Sequence, residues 1–146
     1  MLTLYFAPHT CALATHIVLE EVGAAYVTKR IDFASNQQRS PDYLEINPKG
    51  RVPALVTDRG ILTETPAMLV YVAQSFPTAG LAPIDDPFLF AEIQSFNSYL
   101  CSHLHVAHAH RMRGHRALHV APVQPPALKL GAGPRTTRGR RGQGRG

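Results

Sequence analysis

The sequence predicts an α/β domain of order β-α-β-α-β-β-α, followed by the first long helix of an incomplete all-α domain and a tail that should be disordered. Three observations carry this reading. Short β-forming runs alternate with stretches of helical spacing up to about Phe76, a new and longer helical pattern starts at Asp85-Asp86-Pro87, and the charge reverses sign along the chain. Residues 1–110 hold six Lys/Arg and all ten acids, whereas residues 111–146 hold nine Lys/Arg and no acid. The net charge of +5 is therefore an average over two unlike segments.

The elements follow from local chemistry. Leu2-Thr3-Leu4-Tyr5-Phe6 is a short apolar run ended by Pro8 and reads as a buried strand. Thr10 is a good N-cap for a helix through Ala12, Leu13, Ile17, Val18 and Val22, and Gly23 supplies its stop. Tyr26 to Asp32 reads as the second strand, parallel to the first through a right-handed crossover. Ser35 to Ser40 is polar and reads as loop; Ser40-Pro41-Asp42 opens a short helix that Asn47-Pro48-Lys49-Gly50 ends. Val52–Thr57 and Gly60–Thr63 form a hairpin about Asp58-Arg59-Gly60. Thr65-Pro66 reads as N-cap and first residue of a helix stopped by Pro77. Beyond the linker 77–83, Phe88, Phe90, Ile93, Phe96, Leu100 and Leu104 recur at helical spacing with no second helix to pack on.

The expected division is thus a first domain over 1–80, the start of an all-α domain over 84–116, and a Pro/Gly/Arg-rich tail over 117–146. No basic leader with an apolar core opens the chain, and no run approaches the roughly 18 apolar residues of a membrane span, so a cytoplasmic protein without membrane contact is expected. The two cysteines, Cys11 and Cys101, fall in no metal-binding spacing and are read as single thiols.

Three places carry chemistry. Cys11 lies at the start of the first helix, directly after a buried strand, where unpaired amides and the helix dipole favour an anionic sulfur; a small residue packed into the first turn fits the same position. Ala14 stands where a dithiol oxidoreductase carries its second cysteine, which argues against that chemistry. Val52-Pro53 suits a cis bond that presents the preceding backbone to an extended ligand, although the dipeptide taken alone favours a trans proline opening an edge strand. Glu64-Thr65 offers an acid, a hydroxyl and free amides at a helix start, which suits a zwitterionic ligand as well as an ordinary cap.

Taken in order, LYFAPHTCALATHIVLEE, DYLEINPKGRVPALV and ILTETPAMLVYVAQ resemble the glutathione S-transferase family, most closely its bacterial beta-class-like members with a cysteine near the N-terminus. The resemblance covers residues 1–116, and the NPKGRVPAL and LTET stretches make it specific. It implies a thioredoxin-like fold with Pro53 cis, a dimer, and glutathione as co-substrate. Val52 would meet the cysteinyl backbone of glutathione, Glu64 and Thr65 its γ-glutamyl end, and Cys11 its sulfur. Asn36 stands where similar proteins carry a lysine for the glycyl end. His105 resembles a histidine facing the second-substrate site, with Ser98 and Ser102 on nearby turns and Val106 in place of the lysine that follows it. The implied function is transfer of the glutathione thiolate to an electrophilic small molecule, or its exchange with a disulfide.

Other readings remain beside this one. His105 and His108 share a helical face with His103 and His110 nearby, but no carboxylate or cysteine completes a metal site, and none is expected. The Arg/Gly tail suits nonspecific contact with nucleic-acid phosphates; no aromatic residue interleaves its arginines, so no specific nucleic acid is expected. After Arg116 the sequence matches nothing expected of a helical domain, and its Ala, Pro, Gly and Arg content is what a lost reading frame in a GC-rich gene would produce. A catalytically defective glutathione-binding remnant is the corresponding alternative. Resequencing tests this: a one- or two-base correction after codon 116 is expected to restore a helical continuation, and the frameshift reading fails if none does.

Overall fold

The computed structural model describes residues 1–113, with side chains described to Arg111. The strands β1 (Leu2–Phe6), β2 (Tyr26–Arg30), β3 (Ala54–Thr57) and β4 (Gly60–Thr63) form one sheet in the order β2-β1-β3-β4. Parallel pairing of β1 with β2 sets Leu4 opposite Thr28, and antiparallel pairing with β3 sets Leu4 opposite Leu55. The hairpin partner β4 brings Leu62 opposite Leu55. The helices are α1 (Ala12–Glu21), α2 (Pro41–Ile46), α3 (Thr65–Ser75), α4 (Pro87–Tyr99) and α5 (His105–Arg113).

Side-chain alternation along β1 divides the core in two. Leu4 packs with Leu19 of α1, Leu55, and Met68 and Val72 of α3, so α1 and α3 cover one face. Tyr5 turns to the other face, where Ala7, Ile31, Tyr43 and Val52 cluster under α2. This is the thioredoxin-like arrangement, with a mixed four-stranded sheet between α1/α3 and α2.

Local deviations from the sequence reading have identifiable causes. Cys11, not Thr10, is the N-cap of α1. The Thr10 hydroxyl donates to Ala7 O at 2.7 Å and accepts from Ala12 N at 3.3 Å, so it ties off the turn one residue earlier. Glu64 caps α3, and Thr65 is its first residue. The loop expected over 35–40 contains a 3₁₀ turn at Gln37–Arg39. The strand expected from Val52 starts at Ala54, so Val52 and Pro53 precede the ladder.

The expected long helix also differs. A π turn at Leu100–Leu104 separates α4 from α5. There the Ser102 hydroxyl donates to Ser98 O at 2.7 Å, competing for the carbonyl that an unbroken α-helix gives to the amide of residue 102. Contrary to the expectation that this segment has no helix to pack on, α4 touches α3. Phe90, Ile93 and Leu100 are half-buried, while Phe88 and Phe96 stay 73 % and 60 % exposed. The expected tail over 117–146 and the last three residues of the expected 84–116 segment lie outside the described residues.

Gly50 is fixed by geometry. Its φ is +59°, and a Cβ there would sit 2.8 Å from the backbone oxygen of Gln38. We expect Gly50→Ala to lower stability by about 1–3 kcal/mol from backbone strain alone, read as a shift in urea midpoint; an unchanged midpoint would show that the loop relaxes freely.

Candidate active site

The site begins where β1 hands over to α1. Cys11 is exposed and caps the helix without bonding its amides through the side chain. Its Sγ–H donates to Val52 O at 3.8 Å, across 41 residues of chain. The Val52–Pro53 peptide is cis. This is the isomer that the family resemblance implies, whereas the dipeptide taken alone favours trans.

The backbone feeding Val52 is held by two buried donors. Tyr43 Oη and Asn47 Nδ2 each donate to Arg51 O at 2.7 Å. Asn47 is 2 % exposed, and its Oδ1 accepts from Lys49 N at 3.2 Å. Burial, reinforced by Tyr5, pushes the Tyr43 hydroxyl up to about 12, so it is a neutral donor at ordinary pH. The loop is therefore anchored from the domain interior.

A second half of the site forms at the start of α3. Glu64 has φ 74° and ψ 121°, a positive φ that non-glycine residues adopt only when their surroundings impose it. Its carboxylate makes no cap bond to α3 and instead meets Lys49 Nζ at 2.5 Å. The same ammonium donates to Thr63 Oγ1 at 3.3 Å. Thr65 begins the helix, where the first amides lack partners within it, so an acid and free amide donors stand together.

Cys101, in the π turn, joins this neighbourhood: burial raises its thiol, and the charges of Cys11 and Glu64 add to the effect. The sequence marked out Cys101 only as a single thiol and gave Lys49 no role at the site. Lys49 lies in the NPKG turn, whose residues read only as a helix stop, and no local spacing connects residue 49 with 64 or 101 with 11.

The remaining candidates lie apart from these contacts. Asn36 is exposed at φ 57°, and its Oδ1 accepts from Gln38 Nε2 at 3.5 Å, within its own loop. His105 is exposed at the start of α5, where its amide donates to Leu100 O and closes the π turn. Ser102 spends its hydroxyl on Ser98 O and lies 2.7 Å from His103 Nδ1. Among the described residues no group of three or more His, Cys, Asp or Glu is placed to hold a metal ion. No helix of the described residues is long and apolar enough to cross a membrane. Two shallow cavities, of about 270 and 230 Å³, are lined by Phe6, Pro8, His9 and Leu13 and by Tyr5, Lys29 and Tyr43 among others. Neither is lined by Cys11, Val52 or Glu64.

A cysteine capping α1 beside a cis-proline loop, with an acid at the start of α3, belongs to a thioredoxin-like domain. A family model described as "Glutathione S-transferase, N-terminal domain" matches residues 1–74. The chain belongs to the glutathione S-transferase family. It is similar to glutathione S-transferase GstA of Escherichia coli O157:H7, 37 % identical over 105 residues, covering 70 % of this chain and 52 % of that protein. Glutathione S-transferase GST-4.5 of Xanthomonas campestris pv. campestris is 38 % identical over 102 residues, covering 70 % and 49 %. Among solved structures, a glutathione transferase homologue from Sulfitobacter with bound glutathione is 53 % identical, with TM-score 0.74, covering 85 % of this chain and 58 % of that one. A bacterial beta class glutathione S-transferase from Sphingomonas chungbukensis is 41 % identical, with TM-score 0.67, covering 73 % and 54 %. The chain spans about half the length of the curated relatives it matches.

Proposed function

We propose that the first domain, residues 1–80, binds glutathione as co-substrate and directs its thiolate at an electrophilic small molecule or a disulfide. The observation that carries this is the contact of Cys11 Sγ with Val52 O, which sets a thiol at a helix N-terminus beside main chain that lies outside the β3 ladder. A peptide ligand laid along Val52 has its sulfur at Cys11 and at the positive end of the α1 dipole. Glu64 and the first amides of α3 suit the ammonium and carboxylate of a γ-glutamyl group. The fit rests on this chain's own chemistry, since the Glu64 carboxylate already holds an ammonium, that of Lys49. The Sulfitobacter structure, solved with glutathione, supports the choice of ligand.

In this reading Cys11 and the α1 terminus stabilise negative charge on sulfur, Val52 and Pro53 fix the peptide by main-chain contact, and Glu64 with Thr65 orient its far end. The chemistry supplied when glutathione is bound is that of a nucleophilic thiolate. Catalysis is then positioning and electrostatic stabilisation, with no metal required of these residues. Asn36 at the glycyl end, His105 toward the second substrate, assembly as a homodimer and a cytoplasmic location belong to the same proposal through family resemblance.

Retention on glutathione-agarose, paired with conjugation and disulfide-reduction assays, tests it. We expect retention, and in at least one assay turnover at least about tenfold above Cys11→Ala. Retention with turnover equal to Cys11→Ala removes Cys11 from the catalytic role and leaves the binding assignment standing, retention without turnover in either assay leaves a binding protein, and absence of retention removes the proposal.

A further inference from the structure

The Lys49–Glu64 pair is more than two long side chains meeting in solvent. Lys49 is 31 % exposed and Glu64 60 % exposed. The lysine springs from a turn fixed by the buried Asn47, which accepts from Lys49 N and whose own carbonyl accepts from Gly50 N at 2.8 Å. Its ammonium sits between two acceptors, Glu64 Oε1 at 2.5 Å and Thr63 Oγ1 at 3.3 Å. Glu64 holds its end from a positive-φ backbone at the first turn of α3. An ammonium therefore already occupies the carboxylate assigned above to the α-ammonium of the ligand.

We propose that Lys49 is a built-in stand-in for the ligand ammonium, and that glutathione binds by exchanging its own α-ammonium for that of Lys49 on Glu64. The inference rests on the glutathione reading above and deepens it. Lys49 is on this account a residue that tempers the preference for an α-ammonium: it holds Glu64 in a paired state that such a ligand must displace, while a ligand lacking the ammonium leaves the pair in place. Half-exposed ion pairs are worth little, so the handicap is small. It falls further as salt screens the pair.

Isothermal titration of the full chain tests this, with two probes: glutathione and its glutaryl analogue, which lacks only the α-amino group. Lys49→Met is expected to bind glutathione about two- to fivefold more tightly than the wild type at low ionic strength. Its affinity for the glutaryl analogue should be unchanged, and its advantage for glutathione should shrink at high salt. Lys49→Arg, which keeps the pair, should match the wild type, and Lys49→Gln should repeat the methionine result if that variant folds poorly. Unchanged or weaker glutathione binding in the neutral variants overturns the inference, as does an equal gain for both probes. Glu64→Gln separates this from the underlying reading: wild-type glutathione affinity in that variant means that Glu64 does not hold the ammonium, and the reading itself fails there.

Discussion

Asn47→Ala is expected to cost about 2–4 kcal/mol of folding stability, because the substitution leaves buried polar groups without partners. Asn47 is 2 % exposed; its Nδ2 donates to Arg51 O and its Oδ1 accepts from Lys49 N, so one side chain closes the 47–51 turn from inside. Removal uncovers the Lys49 amide, and Arg51 O keeps only the Tyr43 hydroxyl. The loss should reach the site as well, since Arg51 precedes Val52 and the same turn carries Lys49. Urea unfolding checks the first effect. Glutathione titration under conditions where the variant is folded checks the second, with weaker binding expected. A variant that loses stability but binds as the wild type does would show that the Val52 backbone is positioned without this turn.

How much of this was legible beforehand depends on the range of each interaction. The order of strands and helices was readable because each depends on contiguous residues: Pro8 ends β1, Gly23 ends α1 at φ +62°, and Pro66 lies in the first turn of α3. Boundaries moved by a residue or two where side chains chose between backbone partners, as Thr10 did in bonding Ala7 O and leaving the cap to Cys11. The candidate site was legible in its members rather than in its couplings. Cys11, Val52, Pro53, Glu64 and Thr65 stood out by position, but the Cys11–Val52 contact spans 41 residues and the Lys49–Glu64 pair 15, distances at which local patterning is silent. The positive φ of Glu64 was likewise invisible, since glutamate is not a residue chosen for that region. Packing of α4 on α3 depended on tertiary closure, and the helical period alone does not name a partner.

The second large effect is alkaline. Tyr43 is 3 % exposed, its hydroxyl donates to Arg51 O, and burial with Tyr5 raises it from 10.0 to about 12. Folding therefore favours the neutral phenol. The raised folded value means that the stabilisation is fully present below pH 10, declines above it and is gone once the pH has risen through about 12. A shift of this size corresponds to at most about 3 kcal/mol. Tyr26, raised to about 12 by burial and by its hydrogen bond to Glu20, acts in the same window and the same direction. Unfolding midpoints in the wild type should hold from pH 8 to about 10 and fall steeply from there towards pH 12. Tyr43→Phe should start lower at pH 8, having lost its bond to Arg51 O, and fall less steeply; adding Tyr26→Phe should flatten the curve further. An equally steep fall in the double variant would assign the alkaline transition to other groups. Because the Tyr43 proton is the one shared with Arg51 O, its loss also removes one of the two interior donors that hold the entry to β3.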